Sequence, residues 1–237
     1  MIRKAIVLAA GRGTRMGALT GELPKPMLPV NGRPMLEHIV RKLQGAGLRE
    51  VLLVVGYRRD VIEAHFRDFA GVAFAVQETA EGTAKAVALG RDFAAGEPFL
   101  LTFGDILCDA SNYSGICEVQ RRFDAAVVAG VKWVDDPWQG AAVYTSESGA
   151  VTKIVEKPEP GTATTHWNSA GLYAFGGGMF DEIRNVPKSA RGEYEITSAV
   201  EQAIENGRVV RMFEMTGAWS DVGRPEDLAR VQLAPDE

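Results

Sequence analysis

Three cations gather near one glycine-rich stretch, in Leu8-Ala9-Ala10-Gly11-Arg12-Gly13-Thr14-Arg15-Met16-Gly17 and, a short polar segment later, at Lys25. Glycines let backbone N–H groups approach an anion without interference from a Cβ. The string lacks the Gly-Lys-Ser/Thr ending of a Walker loop and the G-x-G-x-x-G spacing of a nicotinamide fold. A pyrophosphate resting on a helix terminus needs fewer cations; a triphosphate with charge moving at one phosphorus justifies all three. A glycine turn flanked by solvated arginines has the same local sequence, so support must come from elsewhere in the chain.

Further polar groups lie at the ends of apolar runs. Asp105 follows Gly104 at the end of one, and Asp221 sits in Trp219-Ser220-Asp221-Val222-Gly223. Hard carboxylate oxygens suit Mg²⁺, which takes one or two of them and completes its octahedron with water and substrate phosphates. Read singly, each aspartate equally suits a loop or a cap. Gln77 opens the segment Gln77 to Gly82, and its amide can both donate and accept, as pairing with the N3–H and a carbonyl of uracil or thymine requires. His38, His65 and His166 fall in no catalytic motif and read as structural or solvated.

The elements that must position these groups follow from hydrophobic period. Arg3 to Leu8, Val51 to Val55, Val72 to Val76 and Pro98 to Phe103 read as buried strands; Pro34 starts a helix with Leu36, Ile39, Val40 and Leu43 on one face. Asp60 to Phe69 and a segment from Thr83 are further helices, so the first half alternates β and α, and Asp105 falls at a strand's C-terminal end, where open α/β sheets bind ligands. The second half predicts strands near Ala125 to Trp133, Ala141 to Thr145, Val151 to Val155 and Ala170 to Phe175 with few helices between them, an antiparallel pattern. A helix over Glu195 to Ile204 and a strand over Val209 to Phe213 close it.

Hydrophobic residues at 46% and charged residues at 24% of 237 exclude extended disorder. The net charge of −5, with Lys and Arg interspersed, argues against a nucleic-acid surface. No signal-type or membrane-length apolar run is present, and Cys108 and Cys117 fit neither a disulfide framework nor a zinc pattern. A cytoplasmic, soluble chain with two structural thiols is expected. Glycine is in excess, 26 residues against a usual share of about 7%.

The opening string, followed by Pro24-Lys25-Pro26-Met27-Leu28-Pro29-Val30, resembles the signature of the sugar-1-phosphate nucleotidylyltransferases. Further blocks occur in that family's order across nearly the whole chain. The resemblance implies an α/β fold: one Rossmann-like α/β/α domain over 1–237, with a mixed, mainly parallel sheet. It comprises a nucleotide-binding half at about 1–110, a more antiparallel sugar-phosphate-binding half at about 111–223 and a C-terminal helix over 224–237. The substrates implied are a nucleoside triphosphate and a sugar 1-phosphate. Arg15 and Lys25 are the implied catalytic residues, and Leu8, Ala9, Gly11, Gly13, Thr14, Gln77, Gly82, Thr83 and Gly104 the nucleotide site. Gly140, Glu156, Lys157, Asn168 and Gly171 are the implied sugar-phosphate site, and Asp105 and Asp221 the ligands of Mg²⁺.

The resemblance implies that Gln77 reads a pyrimidine base, which favours UTP or dTTP over GTP, and it makes glucose 1-phosphate the first acceptor expected and an N-acetylhexosamine 1-phosphate the second. Guanylyl or cytidylyl transfer, or a non-catalytic nucleotide-sugar-binding module, remain alternatives; a homo-oligomer is left open. The string Glu193-Tyr194-Glu195-Ile196-Thr197 also resembles a family string and is assigned to structure, as an N-capped helix. The chain departs from many relatives at Trp138-Gln139 before Gly140, and at Ser198 where an acidic residue often occurs. Its length is that expected of a bare catalytic module.

Overall fold

The computed structural model describes residues 2–231. Thirteen strands are formed among them: β1 Lys4–Ala9, β2 Pro29–Val30, β3 Arg33–Pro34, β4 Glu50–Val55, β5 Val72–Val76, β6 Phe99–Phe103, β7 Ile106–Cys108, β8 Val127–Trp133, β9 Ala141–Thr145, β10 Val151–Glu156, β11 Trp167–Phe175, β12 Val210–Glu214 and β13 Trp219–Asp221. The α-helices are α1 Met35–Gly45, α2 Arg59–Phe66, α3 Thr83–Ala88, α4 Arg91–Ala94, α5 Ala110–Phe123, α6 Phe180–Arg184, α7 Ile196–Glu205 and α8 Pro225–Leu228.

Nine strands make one mixed sheet, along the path β10-β9-β11-β6-β1-β4-β5, with β8 pairing β11 and β12. β6, β1, β4 and β5 run parallel; β11 is antiparallel to β6 and β8, and β9 to β10. Successive residues of a strand face opposite sides, so Ala5, Val7 and Ala9 of β1 join one core with α1, α2 and α5, while Ile6 joins the other with α3, α6 and α7. Because β4 is covered on both faces, Val51 to Val55 are all buried and read as one apolar run. These layers are the α/β/α arrangement that the resemblance implies.

Three expectations need correction. Helix α5 was not predicted: its inward positions include Asn112 and Gln120 as well as Tyr113 and Ile116, which dilutes the apolar stripe. Pro34 is extended, ψ 139°, and precedes the first helical residue instead of occupying the first turn. The C-terminal helix is confined to Pro225–Leu228 within the described chain; the part expected over 232–237 lies outside the described residues. No helix among the described residues is long and apolar enough to cross a membrane.

Candidate active site

The parallel strands deliver their C-terminal ends to one side of the sheet, and two adjoining cavities open there. The first, about 310 Å³, is lined by Leu8, Ala9, Gly11, Gly13, Arg15, Lys25, Gln77, Gly82, Thr83, Gly104 and Asp105, among others. β1 ends at Ala9 and the chain turns through Gly13, whose φ of +65° is left-handed and sterically open only to glycine at low cost. A Cβ on Gly13 would stand 2.6 Å from Lys25 Cβ, so its absence is also what lets the lysine lie against the loop. Gln77 Nε2 donates to Gly82 O at 3.2 Å, which fixes the amide at the cavity wall. Thr14 is exposed and is not part of either cavity's lining.

Asp105 and Asp221, distant in sequence, are joined by a two-stranded ladder. β7 begins just after Asp105, β13 ends at Asp221, and the two pair antiparallel with Asp221 opposite Ile106; Val222 N donates to Asp105 O at 3.0 Å. Buried Lys25 extends its ammonium to Asp105 Oδ2, 2.5 Å away. Asp221 is exposed and lines the second cavity. Crowding by protein, then the like charge of Asp105, nevertheless pushes its pKa up to about 6 against the pull of Lys25 and Arg15. Two neighbouring carboxylates, one of them disfavoured in its charged form by burial and then by the other's charge, are a hard oxygen pair of the chemistry that suits a divalent cation. Among the described residues no larger cluster of His, Cys, Asp or Glu forms a metal site.

The second cavity, about 230 Å³, is lined by Gly140, Glu156, Lys157, Gly171, Arg191, Glu195, Thr197 and Asp221, among others. Its walls come from the start of β9, the end of β10 and the irregular stretch of β11 between Ser169 and Tyr173, a bulge of the kind that turns side chains and backbone toward a site. Glu156 accepts from Thr197 Oγ1 at 3.0 Å, and Arg191 Nη1 bridges Glu156 at 3.4 Å and Glu195 at 2.7 Å. Burial, then the charge of Glu195, raises the Glu156 pKa above its ordinary value in spite of Thr197, Lys157 and Arg191.

Asn168 does not line this cavity. Its Nδ2 donates to Ser169 O at 2.9 Å, and its amide packs so closely behind Gly140 that any Cβ there would collide with it. The 193–197 string is more than a structural cap. Glu193, Glu195 and Thr197 line the cavity, and no side chain within α7 caps its N-terminus. Ile196 N is instead satisfied by Thr83 Oγ1 at 2.8 Å, tying the loop that ends at Thr83 to the 193–197 string. The repeated glutamates of that string were the available signal. Arg191, just before it, carried none that period or composition could show.

A family model described as nucleotidyl transferase matches residues 4–236. The chain belongs to the nucleotidyl transferase family. It is 36% identical, over 94% of its length and 93% of the relative's, to a protein of Haloferax volcanii named UTP–glucose-1-phosphate uridylyltransferase AglF. It is 33% identical to the bifunctional protein GlmU of Methanococcus maripaludis, with 94% of this chain aligned. It spans about half the length of these GlmU relatives, 52% in that case. A solved UDP-glucose pyrophosphorylase complexed with UDP-glucose shares the fold, at a TM-score of 0.88 over 97% of each chain and 22% identity.

In this nucleotidyl transferase the remaining titratable candidates have structural surroundings. His38 Nε2 lies 2.8 Å from Val30 O, His65 Nε2 lies 2.8 Å from Glu37, and His166 stacks on Trp133. Burial pushes the thiols of Cys108 and Cys117 up to about 11 and about 12, which keeps them protonated and unreactive at neutral pH.

Proposed function

We propose that the chain transfers a nucleotidyl group from a nucleoside triphosphate, UTP or dTTP in preference to GTP, to a sugar 1-phosphate, with release of pyrophosphate. Glucose 1-phosphate is the leading acceptor and an N-acetylhexosamine 1-phosphate the second. The observation that carries this reading is the wall common to the two cavities, to which Arg15, Thr83, Phe103, Asp105 and Glu193 all belong. A nucleotide in the first cavity and a sugar phosphate in the second would bring their phosphates together there. The uridylyltransferase name of the Haloferax relative agrees with this choice of substrates.

Both reactants are anions, so the catalytic task is neutralisation and alignment. Lys25 and Arg15 supply positive charge beside the α-phosphorus, and backbone N–H groups of Gly11 and Gly13, which line the first cavity, hold the phosphate chain. Asp105 and Asp221 would hold Mg²⁺, which when bound offsets phosphate charge and helps align the reacting oxygens. The attacking phosphate is already largely ionised near neutral pH, its second pKa being about 6, so no base is needed; no histidine lines either cavity. Glu156 accepts from sugar hydroxyls, Lys157 meets the sugar phosphate, and Gly140 and Gly171 leave room for the ring.

Pyrophosphate release measured across a panel of nucleoside triphosphates crossed with sugar 1-phosphates tests the reading. A clear maximum for a uridine or thymidine triphosphate with a hexose 1-phosphate is expected. Tight nucleotide-sugar binding without turnover of any pair would instead establish a non-catalytic binding module.

A further inference from the structure

We propose that Tyr57 is a positioning residue for the phosphate loop, and that its ring holds Arg12 at the loop's outer rim as the cation that meets the leaving pyrophosphate. The inference rests on the nucleotidyl-transfer reading above and assigns a side of that site to a residue pair outside both cavity linings.

Tyr57 follows the C-terminal end of β4, beside β1, and contacts the loop at its beginning, middle and end. Its N–H donates to Ala10 O at 3.1 Å, its hydroxyl donates to Thr20 O at 3.2 Å, and the Arg12 guanidinium carbon lies 5.3 Å from its ring centroid. Gly11 and Gly13 line the nucleotide cavity while Arg12, between them, does not; its side chain is turned outward onto the ring. Among the described residues no carboxylate pairs with Arg12 in a salt bridge. An aromatic face orients a guanidinium without cancelling its charge, as a carboxylate would. An oriented, unneutralised cation on an anion-binding loop is arranged for an external anion.

In-line displacement decides which part of that anion. The attacking and leaving oxygens stand on opposite sides of the α-phosphorus. The sugar cavity, with Lys157 and Arg191, occupies one side of the common wall, so pyrophosphate departs on the side of the loop. Lys25 and Arg15 already belong to the cavity wall, and Arg12, between Gly11 and Gly13, is the remaining cation of the glycine-rich loop.

The test is steady-state kinetics in both directions on the full chain, with pyrophosphate as the varied substrate of the reverse reaction. Arg12→Ala should raise the KM for pyrophosphate about tenfold or more, the loss expected for one charge-assisted hydrogen bond, while the KM for sugar 1-phosphate stays within about twofold. Tyr57→Leu should give a similar rise, and the double variant should add little to it, because the ring acts through Arg12. Tyr57→Phe keeps the ring and should restore most of the pyrophosphate affinity. An unchanged pyrophosphate KM in Arg12→Ala overturns the inference, as do an equal loss of sugar-phosphate affinity, fully additive single effects, or a Tyr57→Phe variant as impaired as Tyr57→Leu. Wild-type protein that turns over no substrate pair in either direction overturns the nucleotidyl-transfer reading itself; active wild-type with an unaffected Arg12→Ala variant overturns this inference alone.

Discussion

Asp221 is placed where its charge is a burden to the unliganded fold. Crowding and the neighbouring Asp105 raise its pKa to about 6, so the folded chain disfavours the carboxylate that a metal would require, a tension expected where function and stability compete. Asp221→Asn should therefore abolish magnesium-dependent turnover while making the metal-free protein more stable. Since Asp221 is exposed, solvent screening limits the gain to about 1 kcal/mol, or about 2–4 °C in melting temperature. Thermal melts without added metal check this, and a melting point equal to or below that of wild type would remove Asp105 repulsion from the account. Gln77 poses a separate question at the same scale. With its donor side on Gly82 O, Gln77→Ala should reduce the preference for UTP over GTP, in kcat/KM, by about tenfold or more, the worth of a hydrogen bond read in a closed site. An unaltered ratio would assign base choice to other residues.

At the scale of elements, the site depends on a strand too short to stand alone. β13 has three residues and among the described residues pairs only with β7, yet it carries Asp221. Its approach is pinned by Asn112 of α5, which is fully buried, donates through Nδ2 to Thr216 O at 2.9 Å and accepts from Thr216 N at 2.9 Å. Asn112→Ala removes both bonds and strands a backbone donor and acceptor, at a cost of about 2–4 kcal/mol. It should also weaken magnesium activation, because the segment leading to Asp221 is freed. Urea denaturation and a magnesium titration of activity measure the two effects, and a variant that loses stability but keeps its magnesium dependence would show β7 to be sufficient.

The same asparagine explains why part of the fold was hidden from sequence. Val51 to Val55 announce a strand because both faces are apolar; α5 does not announce a helix because polar Asn112 and Gln120 occupy core positions in order to hold neighbouring backbone. The ladder between β7 and β13 was equally hidden, since three-residue strands have no period to detect, although the two strings that it joins were both visible as motifs. Residues on loops beside the glycine string were legible through their types. Arg191 and the roles of Glu195 and Thr197 were not, because their meaning arises from contact with Glu156 across the fold.

At the scale of the whole molecule, stability and function draw on carboxylates of opposite behaviour. Glu156 has its pKa raised, first by burial and then by Glu195, so its charged form opposes folding above that raised pKa, and the penalty is relieved as pH falls toward the unfolded value. Glu37 on α1 behaves in the reverse way. Burial opposes its charge, but hydrogen bonds from Arg41 at 2.7 Å and with His65 of α2 at 2.8 Å bring its pKa below the ordinary 4.5. A carboxylate with a folded pKa lower than its unfolded one contributes stability above the unfolded value and loses it as pH falls through the folded value. Glu37→Gln should thus be destabilised by about 1–3 kcal/mol near pH 7, the worth of hydrogen bonds to a charged group. The gap to wild type should hold down to about pH 4.5 and narrow below it. Denaturant melts of both proteins across that range provide the check. A gap independent of pH would mean that Glu37 joins α1 to α2 through shape and not charge. Because Glu37 lines neither cavity, the variant's KM values for both substrates should match those of wild type at neutral pH, which separates what holds the α/β/α layers together from what acts in the cleft.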